Sequence, residues 1–368
     1  MLYAVCTTYG PSTAFILPVL MRRHRKELRA LTLFVVLFAM ALGGGAISMQ
    51  PGGPIAAARQ VTPRIRVPEP GWFPVYYRGG EQLDHTYVWN DFASAVAGAR
   101  RADVLILGTS RVQFALPVHD LRAFEKRTGQ RAFSLALPGE SFVVALEIIE
   151  KFDLRPPIAV AEVDGFFSEG PYVTRVVDEG WWGGVTTVWE EDLAAATWPV
   201  ASPVLPSFII RRPARYLLRS SAYGTWLPVL WPHRHTAPTV ASAGSPAERM
   251  IERARGVRDA LARRGTQLVL TCVPTGLGGC SPAYAHALAD AIDVPVVTPP
   301  IEGLWTSDRI HLCPLSAKRF ARALLRGVGK LEMFRGRPRR RSVAAGGVVA
   351  MADVPEDVQR WTRGAFTR

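Results

Sequence analysis

Short apolar runs alternate with amphipathic segments between about residue 98 and residue 330. Continuous apolar runs are typical of strands covered on both faces, and apolar positions three or four residues apart indicate helices that bury one face. The first pattern predicts strands at 104–108, 132–136, 158–163, 268–271 and 295–297. The second predicts helices at 117–128, 141–151, 246–264, 282–292 and 315–328, with Ser141 and Ser245 as capping residues. The alternation predicts a doubly wound, three-layer α/β/α fold with a five-stranded parallel sheet.

The region before this domain has a different pattern. Residues 31–49 form an apolar stretch without a charge, and a basic cluster that includes Arg22 and Arg25 precedes it. About 18 or more apolar residues can span a bilayer as a helix, with Lys and Arg on its cytoplasmic side. We therefore expect a single-pass anchor in the inner (plasma) membrane, with residues 1–30 in the cytoplasm and the domain outside it. A signal peptide cleaved at 46–48 and a buried core helix are the alternatives.

Three further segments depart from the alternation. Residues 50–97 are predicted to be a linker and lead-in, and the basic residues 331–368 a disordered tail. Residues 166–244 form an insertion in the domain 98–330, and it contains six of the ten tryptophans: Trp181, Trp182, Trp189, Trp198, Trp226 and Trp231. Aromatic residues beside arginines, as around 215–219, favour a membrane–water interface or a partner surface. A helical subdomain with ordinary core tryptophans is the alternative.

Composition and charge exclude several classes of protein. The chain has 368 residues, a formal net charge of +13 and 48% hydrophobic residues. This hydrophobic share supports a sizeable core and excludes a globally disordered protein. Basic clusters lie near both ends and the middle is closer to balance, so the charge does not favour a nucleic-acid partner. Four cysteines are too few for a disulfide scaffold of this length.

The first candidate for chemistry is the sequence Gly108-Thr109-Ser110-Arg111, which directly follows the first predicted strand. A residue at the carboxyl end of that strand lies at a topological switch point, where open α/β sheets bind ligands. Backbone N–H groups at the start of the following helix can stabilise an anion there. Ser110 is therefore a candidate nucleophile.

A second group of candidates lies between the last predicted strand and the last helix. Asp308 and His311 are three residues apart in a loop. Such a carboxylate can fix the tautomer of an imidazole, and the imidazole can remove the proton that makes a serine hydroxyl a poor nucleophile. Taken singly, Asp308 reads as a turn residue and His311 as a surface histidine. Together with Ser110 at the same end of the fold, they predict a catalytic triad.

These motifs resemble those of the SGNH (GDSL-like) hydrolase superfamily. Ser110 falls in the first conserved block, which reads GTSR here instead of GDS, and Asp308-x-x-His311 matches the final block. The sequence at 135–139 resembles the second block, whose glycine N–H helps to form the oxyanion hole. The resemblance implies catalytic roles for Ser110, His311 and Asp308, and an oxyanion hole formed by the N–H groups of Ser110 and Gly139.

One position departs from the family pattern. The third block normally supplies an asparagine donor to the oxyanion hole, and Asp164 lies near the expected place. An ionised carboxylate cannot donate a hydrogen bond and would repel the oxyanion. Either Asp164 points away, or it stays protonated, or another donor replaces the asparagine. We predict substrate contacts for Asp164 and Arg111, with a salt bridge on the following helix as the alternative for Arg111.

Similar departures occur in a membrane-anchored branch that looks like the alginate acetylation and teichoic-acid D-alanyl transfer proteins. The resemblance implies an exported, membrane-anchored serine esterase or O-acyltransferase, acting on acyl esters of an envelope polysaccharide or other cell-envelope carbohydrate, without a cofactor. A membrane acyltransferase is an expected partner, and nucleic acid is not. The alternative is a non-catalytic scaffold that binds glycan or the acyltransferase, and Asp164 is the main argument for it.

Three cysteines lie on the presumed active face: Cys272, Cys280 and Cys313. In an oxidising compartment, one pair of these cysteines could form a disulfide bridge, and a Cys280–Cys313 bridge would tie two loops beside His311. A buried, free Cys272 is also expected. His233 and His235 lie in a proline-rich loop and are predicted to be solvated rather than metal ligands. We therefore expect no metal site.

Overall fold

The computed structural model describes residues 71–78, 81–82, 84–139, 141–167, 215–226, 236–238, 244–277 and 281–331. The predicted anchor at 31–49, most of the insertion and almost all of the predicted tail lie outside these residues. Among the helices that are described, none is both long and apolar enough to cross a membrane.

Most of the described strands belong to one central sheet. In chain order the strands are β1 (Trp72–Arg78), β2 (Glu81–Gln82), β3 (Val104–Leu107), β4 (Ala132–Ser134), β5 (Ile158–Glu162), β6 (Arg215–Ser220), β7 (Gln267–Thr271) and β8 (Val296–Val297). Five of them form a parallel sheet in the spatial order β4-β3-β5-β7-β8. The predicted five-stranded parallel sheet is confirmed, and each strand lies within two residues of its predicted bounds.

Helices cover both faces of this sheet. The described helices are α1 (Asp84–Trp89), α2 (Ser110–Ala115), α3 (Val118–Thr128), α4 (Phe142–Lys151), α5 (Glu248–Ala262), α6 (Pro282–Ile292) and α7 (Pro314–Val328). Leu105 and Leu107 of β3 face the cluster that α4, α5 and α6 bury. Val104 and Ile106 face the cluster that α2, α3 and α7 bury. The alternation of side chains along β3 thus serves two cores, which is why every position of this strand is apolar.

Some helix starts differ from the prediction. α5 begins at Glu248, and Ala247 rather than Ser245 occupies its N-cap, because Ala247 is the last residue with an extended backbone. Ser141 does occupy the N-cap of α4, but its side chain makes no capping hydrogen bond. α2 was not predicted, since it is only six residues long and ends just before Pro117, which starts α3 as its N-cap.

A second, antiparallel sheet in the order β2-β1-β6 was not predicted. Its main pair joins β1, in the predicted lead-in, to β6, in the predicted insertion. Two strands so far apart along the chain leave no local signal that they pair. Part of the predicted linker and lead-in is therefore structured, beginning at β1.

Arg219 of β6 attaches the second sheet to the central one. Its guanidinium forms an ion pair with Asp84, and both side chains are fully buried. It also donates hydrogen bonds to the carbonyl oxygens of Ser134 (3.1 Å) and Ala136 (3.3 Å) at the end of β4. We call these contacts the Arg219 anchor. The prediction of a membrane or partner surface around 215–219 is therefore wrong for Arg219, whose charge is neutralised inside the protein.

Candidate active site

Ser110 lies at the carboxyl edge of the central sheet. β3 ends at Leu107, Thr109 occupies the N-cap, and Ser110 is the first residue of α2. β4 pairs with β3 on one side and β5 pairs with it on the other, so the chain reverses its winding direction here. The resulting crevice at the ends of β3 and β5 is the place where such sheets bind ligands. The predicted position of Ser110 is confirmed.

His311 connects Ser110 to Asp308. Its Nε2 atom lies 3.0 Å from Ser110 Oγ, although the two residues are 201 positions apart in the chain. Its Nδ1 atom lies 2.6 Å from Asp308 Oδ2. With the proton on Nδ1, Nε2 accepts the hydroxyl hydrogen of Ser110, which is the arrangement that general-base activation requires. The three side chains thus form the predicted relay, and their catalytic role stays a prediction.

The loop that carries Asp308 and His311 is fixed by backbone contacts. The N–H of Ser307 donates to the carbonyl oxygen of His311 at 2.9 Å, and the N–H of Gly276 donates to that of Arg309 at 2.7 Å. Arg309 has a φ of 70°, in the left-handed region that a side chain rarely adopts. Such strain is tolerated where the surrounding contacts impose it, and it is frequent at functional sites.

The environment of Asp308 keeps its carboxyl group ionised. Partial burial favours the neutral acid, but the hydrogen bond and charge of His311 and the N–H groups of His311 and Ile310 outweigh it. They lower the pKa of Asp308 to about 2. The two N–H groups donate to Oδ1 at 2.7 and 2.9 Å, while Oδ2 accepts from the imidazole. A carboxylate held in this way fixes the imidazole and stabilises an imidazolium.

The predicted oxyanion hole consists of the N–H groups of Ser110 and Gly139. The pairing of β3 with β4 continues beyond the strands, since the N–H of Leu137 donates to the carbonyl oxygen of Gly108 at 3.0 Å. This contact holds the chain before Gly139 against the chain before Ser110. Gly139 has a φ of 74°, which a glycine adopts without strain. The role of both N–H groups stays a prediction.

Asp164 and Arg111, predicted to contact substrate, bind each other. One Nη atom of Arg111 pairs with Asp164 Oδ2, and the other donates to the Asp164 carbonyl oxygen at 2.7 Å. The Nε atom lies 2.9 Å from an oxygen of Glu162. We call Arg111, Glu162 and Asp164 the Arg111 clamp. Sequence analysis missed Glu162, although a lone acid at the end of an apolar strand was a usable signal.

Two aromatic residues beside His311 were also missed as part of the site. The Phe114 ring lies 4.5 Å from the His311 ring and 4.9 Å from the Trp226 ring, measured between centroids. Phe114 follows Ser110 by one helical turn, so the two side chains share a face of α2. Trp226 is buried, which disagrees with the membrane or partner surface predicted for the tryptophans of the insertion. The other five tryptophans of that group lie outside the described residues.

Of the cysteine predictions, the burial of Cys272 is confirmed, whereas the Cys280–Cys313 bridge and the free state of Cys272 are wrong. Cys313 is free and buried, so it does not bridge to Cys280. Cys313 occupies the N-cap of α7, where its thiol donates to the Ser316 hydroxyl. Cys272 is disulfide-bonded rather than free. Cys280 and the histidine pair at 233 and 235 lie outside the described residues, and in the described part no group of acidic, His or Cys side chains could hold a metal ion.

Fold and site together define a parallel α/β protein with a Ser-His-Asp arrangement at the switch point of its sheet. No family model matches the chain, and no curated protein matches it. A solved structure titled "Crystal Structure of TesA" is similar, with a TM-score of 0.31 and 11% identity over 61% of this chain and 97% of that chain. A similarity at this TM-score shows neither the fold nor the chemistry of this chain, which follow from its own strand order and side-chain contacts.

Proposed function

We propose that this protein is an SGNH-type serine esterase or O-acyltransferase that uses Ser110, His311 and Asp308. The supporting observation is the unbroken chain of hydrogen bonds from Asp308 Oδ2 through the imidazole to Ser110 Oγ, at 2.6 and 3.0 Å. A lone serine in a βα turn would not support the proposal, because its hydroxyl needs a base.

The proposed reaction has two steps. In the first, Ser110 Oγ attacks the ester carbonyl while His311 Nε2 takes the hydroxyl proton, and a tetrahedral intermediate forms. The N–H groups of Ser110 and Gly139 would stabilise its oxyanion. The C–O bond to the alcohol then breaks, and His311 returns the proton to the leaving alcohol. In the second step, water or a sugar hydroxyl attacks the acyl-serine while His311 takes its proton. The bond between the acyl carbon and Ser110 Oγ then breaks, and His311 returns the proton to Ser110.

The surroundings of the site suit an ester with an apolar portion. Among the described residues, four large apolar side chains are exposed: Leu277, Trp305, Ile310 and Leu315. Trp305 and Ile310 lie in the loop that carries His311, Leu315 lies in the first turn of α7, and Leu277 lies in the loop after β7. Exposed apolar side chains on these loops support an apolar portion in the proposed substrate.

The proposal also includes the cellular location of the protein, its substrate and its partner. The uncharged stretch at 31–49, preceded by basic residues, supports an anchor in the inner membrane and a domain outside the cytoplasm. For that location we propose acyl esters of a cell-envelope carbohydrate as substrates and a membrane acyltransferase as a partner. Fractionation of cells with a tag at the C-terminus, followed by protease treatment of spheroplasts, tests this topology.

A fluorophosphonate probe tests the chemistry, since it phosphonylates activated serines with loss of fluoride. The full chain should be labelled, and Ser110→Ala should not be. Ser245→Ala is the matched control, because Ser245 is exposed ahead of α5, and it should label like the wild type. An unlabelled wild type, or equal labelling of Ser110→Ala, would contradict the proposal and favour a non-catalytic scaffold.

A further inference from the structure

A buried acid lies directly against the Ser110 turn, and the proposed reaction does not use it. Glu162 is the last residue of β5, and its side chain is fully buried. Its Oε2 atom accepts hydrogen bonds from the backbone N–H (3.2 Å) and the hydroxyl (3.1 Å) of Thr109, the residue before Ser110. An acidic group is therefore fixed beside the turn at which the oxyanion would form.

Arg111 lies between this acid and Asp164. Its Nε–H is directed at the Thr109 hydroxyl at 3.5 Å, so the 2.9 Å contact of Nε with Glu162 is an ion pair and not a hydrogen bond. The two Nη atoms bind the side chain and the carbonyl oxygen of Asp164. Gly165 permits this approach, since a Cβ atom there would lie 2.3 Å from Arg111 Nη2.

The Arg111 clamp thus combines two carboxylates with one guanidinium. Burial raises the pKa of the Glu162 carboxyl above its ordinary value, and the charge of Arg111 and the hydrogen bonds of Thr109 oppose this rise, so that loss of Arg111 would raise the pKa further. Without the guanidinium, two acids would face a site in which further negative charge develops. A developing oxyanion would then be destabilised instead of being stabilised.

We propose that Arg111 is a positioning residue of the site: it neutralises Glu162 and Asp164 and fixes the turn that presents Ser110, and it does not bind substrate itself. This inference rests on the proposed function, since it concerns the reactivity of Ser110. It also replaces the predicted substrate contacts of Arg111 and Asp164 with a contact between these two residues. Its consequence is that the missing asparagine of the oxyanion hole is offset by charge neutralisation at the same place.

The main test compares Arg111→Met with the double variant Arg111→Met/Glu162→Gln. The readout is the second-order rate constant for labelling of Ser110 by a fluorophosphonate, with kcat and KM for p-nitrophenyl acetate measured beside it. Arg111→Met should lower the labelling rate constant and kcat by about 100-fold with little change in KM. Removing the uncompensated acid in the double variant should restore the rate by about tenfold. A purely structural arginine predicts a double variant that is as slow as the single one, or slower.

The pH profile supplies a readout that misfolding does not imitate. In Arg111→Met, Glu162 loses its compensating charge and becomes protonated more readily as the pH is lowered. The rate of this variant relative to the wild type should therefore rise toward acidic pH. Arg111→Lys keeps the charge but loses the planar fork, so it should retain more activity than Arg111→Met. A constant ratio at all pH values, or a lysine variant no faster than the methionine variant, would contradict the inference.

Asp164→Asn is a variant that does not risk the fold, because the Asp164 side chain is 37% exposed. It leaves Arg111 paired with Glu162 and removes one of the two negative charges. We expect labelling to become faster, by about threefold or more. A raised KM with an unchanged labelling rate would instead support a direct substrate contact and contradict the inference. An unlabelled wild type would contradict the proposed function itself, whereas a labelled wild type with wild-type rates in all four variants contradicts this inference alone.

Discussion

Among the described arginines that pair with carboxylates, Arg111 and Arg219 each contact a fully buried acid, and their surroundings differ. In the Arg219 anchor, the arginine and its single acid are fully buried, and two backbone carbonyl oxygens accept hydrogen bonds from the second Nη atom. In the Arg111 clamp, one arginine serves two acids, and Asp164 is 37% exposed at the edge of the crevice. The anchor therefore resembles a structural contact between two sheets, whereas the clamp leaves charge close to the site.

The difference shows that burial alone does not tell whether an arginine stabilises the fold or supports the site. A buried ion pair is seldom a net source of stability, but removing one partner is costly because the other charge stays buried. At the anchor that cost falls on folding, since the charges join β6 to the end of β4. At the clamp, loss of one partner would instead change the reactivity of Ser110, because Glu162 accepts hydrogen bonds from Thr109, the residue before Ser110. Variants in the two regions should therefore affect different observables.

The largest effect is expected from Asp308→Asn, which changes the site and leaves the fold intact. Asparagine keeps an oxygen for the two backbone N–H groups, but its amide cannot accept the Nδ1 proton of His311 in the required tautomer. Activity should fall by about 1,000- to 10,000-fold. The free energy of unfolding, measured by urea denaturation, should fall by no more than about 2.5 kcal/mol, the value that corresponds to lowering the pKa of Asp308 from 3.8 to about 2. Retention of a tenth of the rate would mean that His311 does not depend on Asp308.

The opposite outcome is expected for Arg219→Met. This change leaves Asp84 buried without its partner and should lower the free energy of unfolding by about 3–5 kcal/mol. The double variant Arg219→Met/Asp84→Leu is the control, because it removes both charges and should recover part of that loss. Urea denaturation measures both values. A loss below about 1 kcal/mol in the single variant would show that the anchor does not hold the sheets together.

Sequence reasoning found the parts of this structure that local patterns specify. The central strands β3 and β5 are runs of mostly apolar residues that are buried on both sides, so their positions followed from the pattern of apolar residues along the chain. Ser110, Asp308 and His311 were found because each residue type has a chemical role and each lies at the expected place in the alternation of strands and helices. Their convergence depends on the parallel topology, which the alternation also predicted.

The parts that were missed depend on contacts between distant segments. The second sheet joins β1 to β6, and no local pattern relates a lead-in to a later insertion. Arg219 stands beside apolar residues in a way that also suits a membrane interface, and only its contact with Asp84 separates the two interpretations. The same holds for Arg111, whose two acids end a strand more than 50 residues later.

An intermediate effect, on both stability and labelling rate, is expected from a change at Gly165. This residue is not a member of the Arg111 clamp, but its lack of a side chain leaves room for Arg111. Gly165→Ala places a side chain at a φ of 77° and pushes a Cβ atom against Arg111 Nη2. The variant should lose about 1–3 kcal/mol of stability and about tenfold in labelling rate. Gly256→Ala is the matched control. It lies within α5 with open space around its Cβ position, and it should be stabilised by up to about 1 kcal/mol. Equal results for both glycines would remove Gly165 from the clamp.

The smallest effect concerns the pH dependence of stability at the site. The folded protein holds the pKa of Asp308 at about 2, against an ordinary value of 3.8. A lowered pKa contributes stability that is fully present above 3.8 and is lost as the pH falls through about 2. The difference in unfolding free energy between wild type and Asp308→Asn should therefore stay constant from neutral pH down to about 4 and shrink below it. Urea denaturation across this range measures the difference. If this difference in unfolding free energy already disappears near pH 5, the Asp308 carboxyl is not held by His311 and the two N–H groups. The site would then lack the fixed carboxylate that the proposed mechanism needs to orient His311.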